Sequence, residues 1–299
     1  MKTPEISFIT INYNSATYTQ ALIQSIEEFT TLPYEIIIVD NNSHADDRDA
    51  IASFVKEKEH IRFIANPHNC GFACGNMRGA QEAKGAYLFF INNDTKLLND
   101  TAKILKEYIE NKEDIALATA SIKDENNNFV SSYKLFPSLI KELFGNTAAR
   151  KLSNFPSNKV RLQEPTAVEV ISGSCMFFKR DTFETIGGFD EHFFLYCEEE
   201  DISKRVWDYG KEVFFIPQAE IYHKGGASAS RDYALLQEYY ISYTYLIFKH
   251  FSKTKASLLY ALMVFKLFRR SLRKKEARKL FVTALKGFKE ELSLRYKQS

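Results

Sequence analysis

Polar and apolar positions alternate in blocks through the first 121 residues of the chain. Short runs rich in apolar, branched and aromatic residues occupy 6–11, 34–39, 61–65 and 87–91. Such runs read as strands buried on both faces of a parallel sheet. Between them apolar residues recur at helical spacing. Leu22, Ile26 and Phe29 share one face, Ile51, Phe54 and Val55 another, and 73–84 continues the pattern. Ile104, Leu105, Tyr108 and Ile109 then mark a helix over 100–110, followed by a strand over 115–121. This βαβαβαβ order predicts an α/β fold, with a mainly parallel central sheet flanked by helices and joined by right-handed crossovers.

The strands end on polar steps: Asn12-Tyr13-Asn14, Asp40-Asn41-Asn42-Ser43 and Asn92-Asn93-Asp94. Ligands of open α/β sheets sit beyond the carboxyl ends of the strands. Asn12, Asp40 and Asp94 would therefore gather at one edge. Side chains alternate along a strand, so Asn92 and Asp94 can project to the same side if the strand geometry persists. A carboxylate beside amide oxygens suits a hard divalent cation carrying phosphate, and one at Asp40 could accept the imide N–H of a pyrimidine. The same residue types also make turns and helix caps, so the pattern alone leaves both readings open.

The segment from Asn69 to Gly79 carries three glycines around a helix start, which lets backbone approach a phosphate. Arg78 can pair with that phosphate or merely solvate the helix. The segment lacks the Gly-x-Gly-x-x-Gly pattern and does not follow the first strand, which argues against a dinucleotide-dependent dehydrogenase.

Residues 124–128 read as a hairpin turn. The pattern fades over 137–165, which predicts a loop over a site. Asp181, with Glu184 completing a capping box, is expected to cap a short helix ended by Gly187-Gly188. Four successive acids, Glu198, Glu199, Glu200 and Asp201, then open a helix that stops at Gly210. Acids suit a helix N-terminus. They also follow an apolar wall, Phe193 to Tyr196, beside which a carboxylate can have a raised pKa and act as a base. Strands are expected over 213–216 and 219–222. His223 closes the second beside a Gly-Gly loop, a fitting place for a metal or phosphate ligand.

Composition narrows the class. With 299 residues, 45% of them apolar, the chain can bury a large core, and a net charge of +2 gives no general affinity for nucleic acid. Its four cysteines form neither a small disulfide framework nor a zinc pattern, so reduced thiols in a cytoplasmic protein are expected. No signal peptide is evident, and no run of roughly twenty apolar residues could span a bilayer. The even charge hides a basic helical tail from 233 onward. There Leu258, Leu259, Leu262, Phe265 and Phe268 can share a face beside a cluster of Lys and Arg. Residues 1–230 read as one domain and 231–299 as a helical basic appendage. The appendage either closes an acceptor site, contacts a second copy, or rests on anionic lipid at the inner face of the membrane.

Seven motifs, in order, resemble family 2 glycosyltransferases of the GT-A fold, and most closely their bacterial rhamnosyltransferase-like branch. They are Thr-Ile-Asn-Tyr-Asn at 10–14, Val-Asp-Asn-Asn-Ser at 39–43, Asn-x-Gly-Phe-Ala at 69–73, Asn-Asn-Asp-Thr at 92–95, Gly-Gly-Phe-Asp-Glu at 187–191, Phe-Phe-Leu-Tyr-x-Glu-Glu-x-Asp at 193–201 and His-x-x-Gly-x-Ser at 223–228. The resemblance implies inverting transfer of a sugar from a nucleoside diphosphate sugar, dTDP- or UDP-linked, with dTDP-rhamnose the donor of the branch it resembles, to a hydroxyl of a glycan or lipid-linked glycan in surface polysaccharide synthesis. It implies Glu199 as the base, with Glu198 and Asp201 as supporting acids. It places Asn12, Asp40, Asn69, Gly71, Arg78 and Asn93 at the nucleotide sugar, and Asp94 and His223 at a divalent Mg2+ or Mn2+. This sequence departs from the family pattern at Asn92, where an aspartate is usual, and at Glu199, where a shorter acid is usual. Two rivals are weighed. A nucleotidyltransferase would need a glycine-rich basic loop after the first strand, which Asn12-Tyr13-Asn14 is not. A non-catalytic sugar-nucleotide or polysaccharide binder would not need the acid cluster.

Overall fold

A computed structural model describes residues 3–153, 155–156, 162–225 and 232–297. The first half follows the expected alternation: β1 Ile6–Asn12, α1 Ala16–Phe29, β2 Tyr34–Asp40, α2 Ala45–Val55, β3 Ile61–Ala65, α3 Gly71–Glu82 and β4 Tyr87–Ile91. Next come β5 Thr95–Leu97, α4 Thr101–Ile109, β6 Ile115–Lys123, and the short strands β7 Phe129–Val130 and β8 Tyr133–Lys134. The middle of the chain holds α5 Leu139–Leu152, β9 Thr166–Ala167, β10 Val170–Ile171, β11 Cys175–Lys179 and α6 Arg180–Thr185. α7 Glu198–Asp208 and β12 Glu212–His223 precede three closing helices, α8 Tyr233–His250, α9 Lys253–Ser271 and α10 Lys275–Lys286.

The sheet runs β3-β2-β1-β4-β11-β6-β12-β5. β3, β2, β1 and β4 are parallel, as are β6 and β12. β11 is inserted antiparallel between β4 and β6, and β5 is antiparallel to β12. The sheet is therefore mixed, which the apolar runs could not show because periodicity carries no direction. The core confirms burial on both faces. Ile36, Ile38, Phe89 and Phe177 pack with α1 and α4 on one side. Their neighbours Ile37, Val39, Phe90 and Phe178 pack toward α3, α6 and α7 on the other. Each fully buried Phe is worth about 1.5–3 kcal/mol of apolar burial.

Four local expectations change. Over 137–165 the structure contains α5, capped by Ser138 and broken at Gly145. Its Leu143, Phe144 and Leu152 are exposed, so no amphipathic period marks it. α6 starts at Arg180 after Lys179, which places Asp181 within the first turn rather than at the cap. The two extended pieces at 213–222 form one strand, β12, with a register shift between Ile216 and Glu220. Along α9 the inward residues are Ala256, Leu259, Met263 and Leu267, whereas Leu258, Phe265 and Phe268 face outward. The closing helices also share the main apolar core, with Leu246, Ile247, Leu259 and Leu280 joined to Phe178 and Val206. No helix of the described residues is long and apolar enough to cross a membrane.

α3 lies close on the sheet through glycine. A Cβ at Gly79 would stand 2.4 Å from Ile9 Cγ2, and one at Gly75 2.9 Å from Ile11 Cδ1. These glycines thus serve helix–sheet contact and do not face a ligand. Gly79→Ala should lower unfolding free energy by about 1–3 kcal/mol, the usual effect of overpacking, as read from urea denaturation.

Candidate active site

The register of β1 on β2 sets Asn12 opposite Asp40. Asn12 Nδ2 donates to Asp40 Oδ1 at 2.8 Å and to Asp47 Oδ1 at 2.7 Å, and its Oδ1 accepts from Thr19 Oγ1 at 2.9 Å. Asp40 also accepts from the Ser43 amide at 3.0 Å and the Ser43 hydroxyl at 2.5 Å. Both Asn12 and Asp40 are fully buried. Asp40 therefore shapes the strand-end loop, and contact with a base edge would require Asn12 or Ser43 to release it. Asn41 links this edge to the next loop by donating to Gly71 O at 2.9 Å, while Asn69 Oδ1 accepts from Gly71 N at 2.9 Å. Gly71 has φ +88°, and a Cβ there would lie 2.3 Å from Phe194 O. Only glycine fits, and the close approach lets Phe72 N donate to Phe194 O at 2.7 Å. Arg78 is exposed on α3, with no ion pair among the described residues.

Beyond β4 the three residues of the Asn-Asn-Asp step separate. Asn92 N donates to Ser174 O at 3.1 Å. Asn93 turns to α1 and donates to Ser15 Oγ at 2.6 Å and Thr19 Oγ1 at 2.9 Å. Asp94 meets His223, whose Nε2 is 3.1 Å from Asp94 Oδ1, because the antiparallel β5–β12 pairing sets His223 beside Thr95. Gly226 to Ser228 of the last motif lie outside the described residues. Among the described residues no three His, Cys, Asp or Glu side chains converge as a metal cluster. Asp94 and His223 fit a divalent cation that takes its remaining ligands from a diphosphate and water.

The four acids open α7, and each has its own surroundings. The chain enters the helix through two consecutive left-handed residues, Tyr196 (φ 73°) and Cys197 (φ 68°). Backbone of this kind costs about 1–3 kcal/mol per residue and concentrates at functional sites. Lys134 of β8 donates to Glu199 Oε1 at 2.8 Å and approaches Glu200 Oε1 at 2.5 Å. Burial alone would raise the Glu199 pKa, but the Lys134 ammonium outweighs it and holds the carboxyl below its ordinary value. Burial and the charge of Glu199 push Glu198 well up and Glu200 up to about 7. The raised pKa expected beside the aromatic wall thus falls on Glu198 and Glu200, whereas that of Glu199 is lowered. Glu199 also abuts the loop between β10 and β11: a Cβ at Gly173 would be 3.9 Å from its Cβ and Cδ. Ser174 of that loop holds Asn92, so one loop links the acid to the Asp94 edge.

Asp201 differs again. It is fully buried and accepts from Arg205 Nη2 at 2.7 Å, Lys249 Nζ at 2.6 Å and His250 Nε2 at 2.7 Å. Burial opposes ionisation, yet these partners hold its pKa below the ordinary value. Lys249 and His250 end α8, so Asp201 fastens the acid-bearing helix to the closing helices. Lys134, Lys249 and His250 escaped sequence reasoning. Their one signal was indirect: four adjacent acids in a folded core demand cations from elsewhere.

A carboxyl whose pKa rises on folding favours the native state below the unfolded value and loses that contribution as pH climbs through the folded value. For Glu200 that window runs from 4.5 to about 7. Glu200→Gln should therefore flatten the decline in unfolding free energy across this range, measured by urea titration at several pH values.

Residues 7–187 match the family model described as "Glycosyl transferase family 2". The chain is 24% identical to the N-acetylglucosaminyl-diphospho-decaprenol L-rhamnosyltransferase of Mycobacterium tuberculosis, over 93% of this chain and 97% of the relative. It is 25% identical to rhamnosyltransferase WbbL of Escherichia coli over 46% of this chain and 52% of that one. Among solved structures, S. aureus TarS 1-349 superposes with TM-score 0.60 at 17% identity, covering 95% of this chain and 80% of TarS 1-349. GalNAc-T7, crystallised with UDP, GalNAc and Mn2+, gives TM-score 0.60 at 17% identity, covering 81% of this chain. The chain spans about half of GalNAc-T7, 48%. These likenesses are of the GT-A fold, the one expected from the motifs. The family match spans more than half of the chain and contains the strand ends, the Asn69 loop and the Asp94 edge, and by it this protein belongs to glycosyl transferase family 2.

Proposed function

We propose that this glycosyltransferase moves a sugar, with inversion, from a dTDP- or UDP-linked donor to a hydroxyl of a lipid-linked glycan during surface polysaccharide synthesis, at the cytoplasmic side of a membrane. The single observation that carries the reading is the placement of Glu199. It is a half-buried carboxylate kept ionised by Lys134, joined through the Gly173–Ser174 loop to the edge that bears Asp94 and His223. The names of the relatives support the acceptor class: the M. tuberculosis protein acts on a sugar–diphospho-decaprenol, and a Campylobacter jejuni relative on a diphospho-undecaprenol glycan.

Each side chain has a chemical part. An acceptor hydroxyl is a weak nucleophile until a positioned base takes its proton as it attacks. Glu199 is that base. Glu198 is a poorer candidate because burial and the charge of Glu199 push its pKa well up, and Asp201 is closed to ligand by Arg205, Lys249 and His250. Asp94 and His223 would hold the divalent cation jointly with the donor diphosphate. When bound, that cation neutralises the charge growing on the departing diphosphate. The Asn69–Gly71 turn and the Asp40 loop form the floor on which the nucleotide lies, with Asp40 giving the loop its shape and Arg78 free to meet phosphate.

Two tests follow from this assignment. Glu199→Gln keeps shape and polarity but cannot accept a proton. Turnover should fall by roughly two to four orders of magnitude, while calorimetric titration with dTDP or UDP remains unchanged. Retained turnover in this variant, with loss in Glu198→Gln, would move the base to Glu198. Asp94→Ala should abolish the gain in nucleotide affinity that manganese confers. If manganese still strengthens binding in that variant, Asp94 is not a ligand.

A further inference from the structure

A cleft of about 1290 Å³ opens between α8, α9 and the start of α10, away from the Asp94 edge. Six cations line it: Lys266, Arg269, Arg270, Arg273, Lys274 and Lys275, against a single acid, Glu276. Among the described residues only Lys266 has a carboxylate partner, Glu142 of α5. So many unpaired cations around one concavity create a strong positive potential that calls for a polyanion. Leu267, Leu272 and Leu280 give the same cleft an apolar side.

Two further observations narrow the ligand. The outward face of α9 beside the cleft is an apolar stripe: Leu258, Phe265, Phe268 and Leu272, the last two 43% and 65% exposed. Phe144 of α5, 72% exposed, stands out on the helix packed against α9. An anion-binding cleft edged by exposed apolar side chains suits an amphiphile, with a charged head and a hydrocarbon tail. The cleft is also connected to the acid cluster. Tyr240 and Arg270 both line its wall. The Tyr240 ring contacts Tyr239 at 5.4 Å, and Tyr239 contacts Tyr196 at 6.0 Å, two residues before Glu198. Two ring contacts thus lead from the wall of the cationic cleft to Tyr196, just before the acid-bearing helix α7.

We infer that this cleft holds the diphosphate of a lipid-linked acceptor, with the lipid chain lying along the α9 stripe and the glycan reaching past Tyr239 toward Glu199. The inference rests on the transferase reading for its direction, but the binding it asserts can be measured alone. A diphosphate diester carries two charges and several acceptor oxygens, which Arg270 and Arg273 can meet with charge-assisted hydrogen bonds. A bilayer phosphodiester carries one charge and has less to offer six cations.

The test titrates the full chain with four probes at fixed low salt: farnesyl diphosphate, inorganic pyrophosphate, farnesol, and phosphatidylglycerol vesicles. Farnesyl diphosphate should bind tightest. Arg270→Gln and Arg273→Gln should each weaken it by roughly ten- to a hundredfold, as expected for loss of one charge-assisted bond, with dTDP affinity unchanged. Because Arg270 shares the cleft wall with Tyr240, the Lys274→Gln/Lys275→Gln double variant, on exposed residues, gives a second reading that is safe for folding. Three results would overturn the inference: pyrophosphate binding as well as farnesyl diphosphate, vesicles binding equally with or without added farnesyl diphosphate, or concentration-dependent self-association that the variants abolish in place of ligand binding. If farnesyl diphosphate binds as expected while no nucleotide does, the cleft stands and the transferase reading falls.

Discussion

Placing four carboxyls at the head of one buried helix is the constraint around which the second half of this molecule is built. An uncompensated buried charge is far more costly than the fold can bear. The compensation comes from opposite directions. Lys134 arrives from the short strand β8, which pairs with β10, and meets Glu199 and Glu200. Arg205 arrives from the helix itself, and Lys249 and His250 from α8, to meet Asp201. Glu198 has no such cation, and its Oε2 has no partner among the described residues. Burial and the charge of Glu199 push its pKa well up. Four neighbours of like chemistry thus have pKa values moved in opposite directions, raised at Glu198 and Glu200 and lowered at Glu199 and Asp201, by their surroundings.

The strain at Tyr196 and Cys197 belongs to the same economy of space. Two successive left-handed residues turn the chain sharply from the aromatic wall into α7. The wall is held in turn by Gly71, which lets Phe72 N reach Phe194 O. Ser242 of α8 adds a bond to Leu195 O at 2.8 Å. The Asn69–Gly71 loop, the wall and the acid helix are therefore one mechanical unit rather than three independent pieces.

Much of this was legible in the sequence, and what was hidden has physical reasons. Strands β1 to β4 and helices α1 to α4 could be read because burial on one or both faces leaves a clean period. That Asn12, Asp40 and Asp94 end apolar strands at one edge was legible from the strand pattern. What those side chains touch could not be read. The resemblance placed Asn93 at the nucleotide sugar; in the structure its side chain turns to α1, a direction set by local backbone rather than by spacing. α5 left no trace, since its exposed Leu143 and Phe144 destroy the amphipathic signal. The antiparallel insertion of β11 was invisible for the same reason that Lys134 was: both depend on residues distant in sequence meeting in space.

Because two of the partners that satisfy Asp201 sit at the end of α8, the order of synthesis bears on when the enzyme becomes competent. A nascent chain that has emerged only through β12 has made every strand of the sheet and all four acids, but neither Lys249 nor His250. Domains tend to fold from the N-terminus as they leave the ribosome. Here the acid-bearing helix would wait, its Asp201 lacking two of its three side-chain partners, until the closing helices follow. The residues that neutralise its core and the helices that line the cationic cleft are then delivered together, so a chain able to turn over donor is also one that already carries the surface for its acceptor.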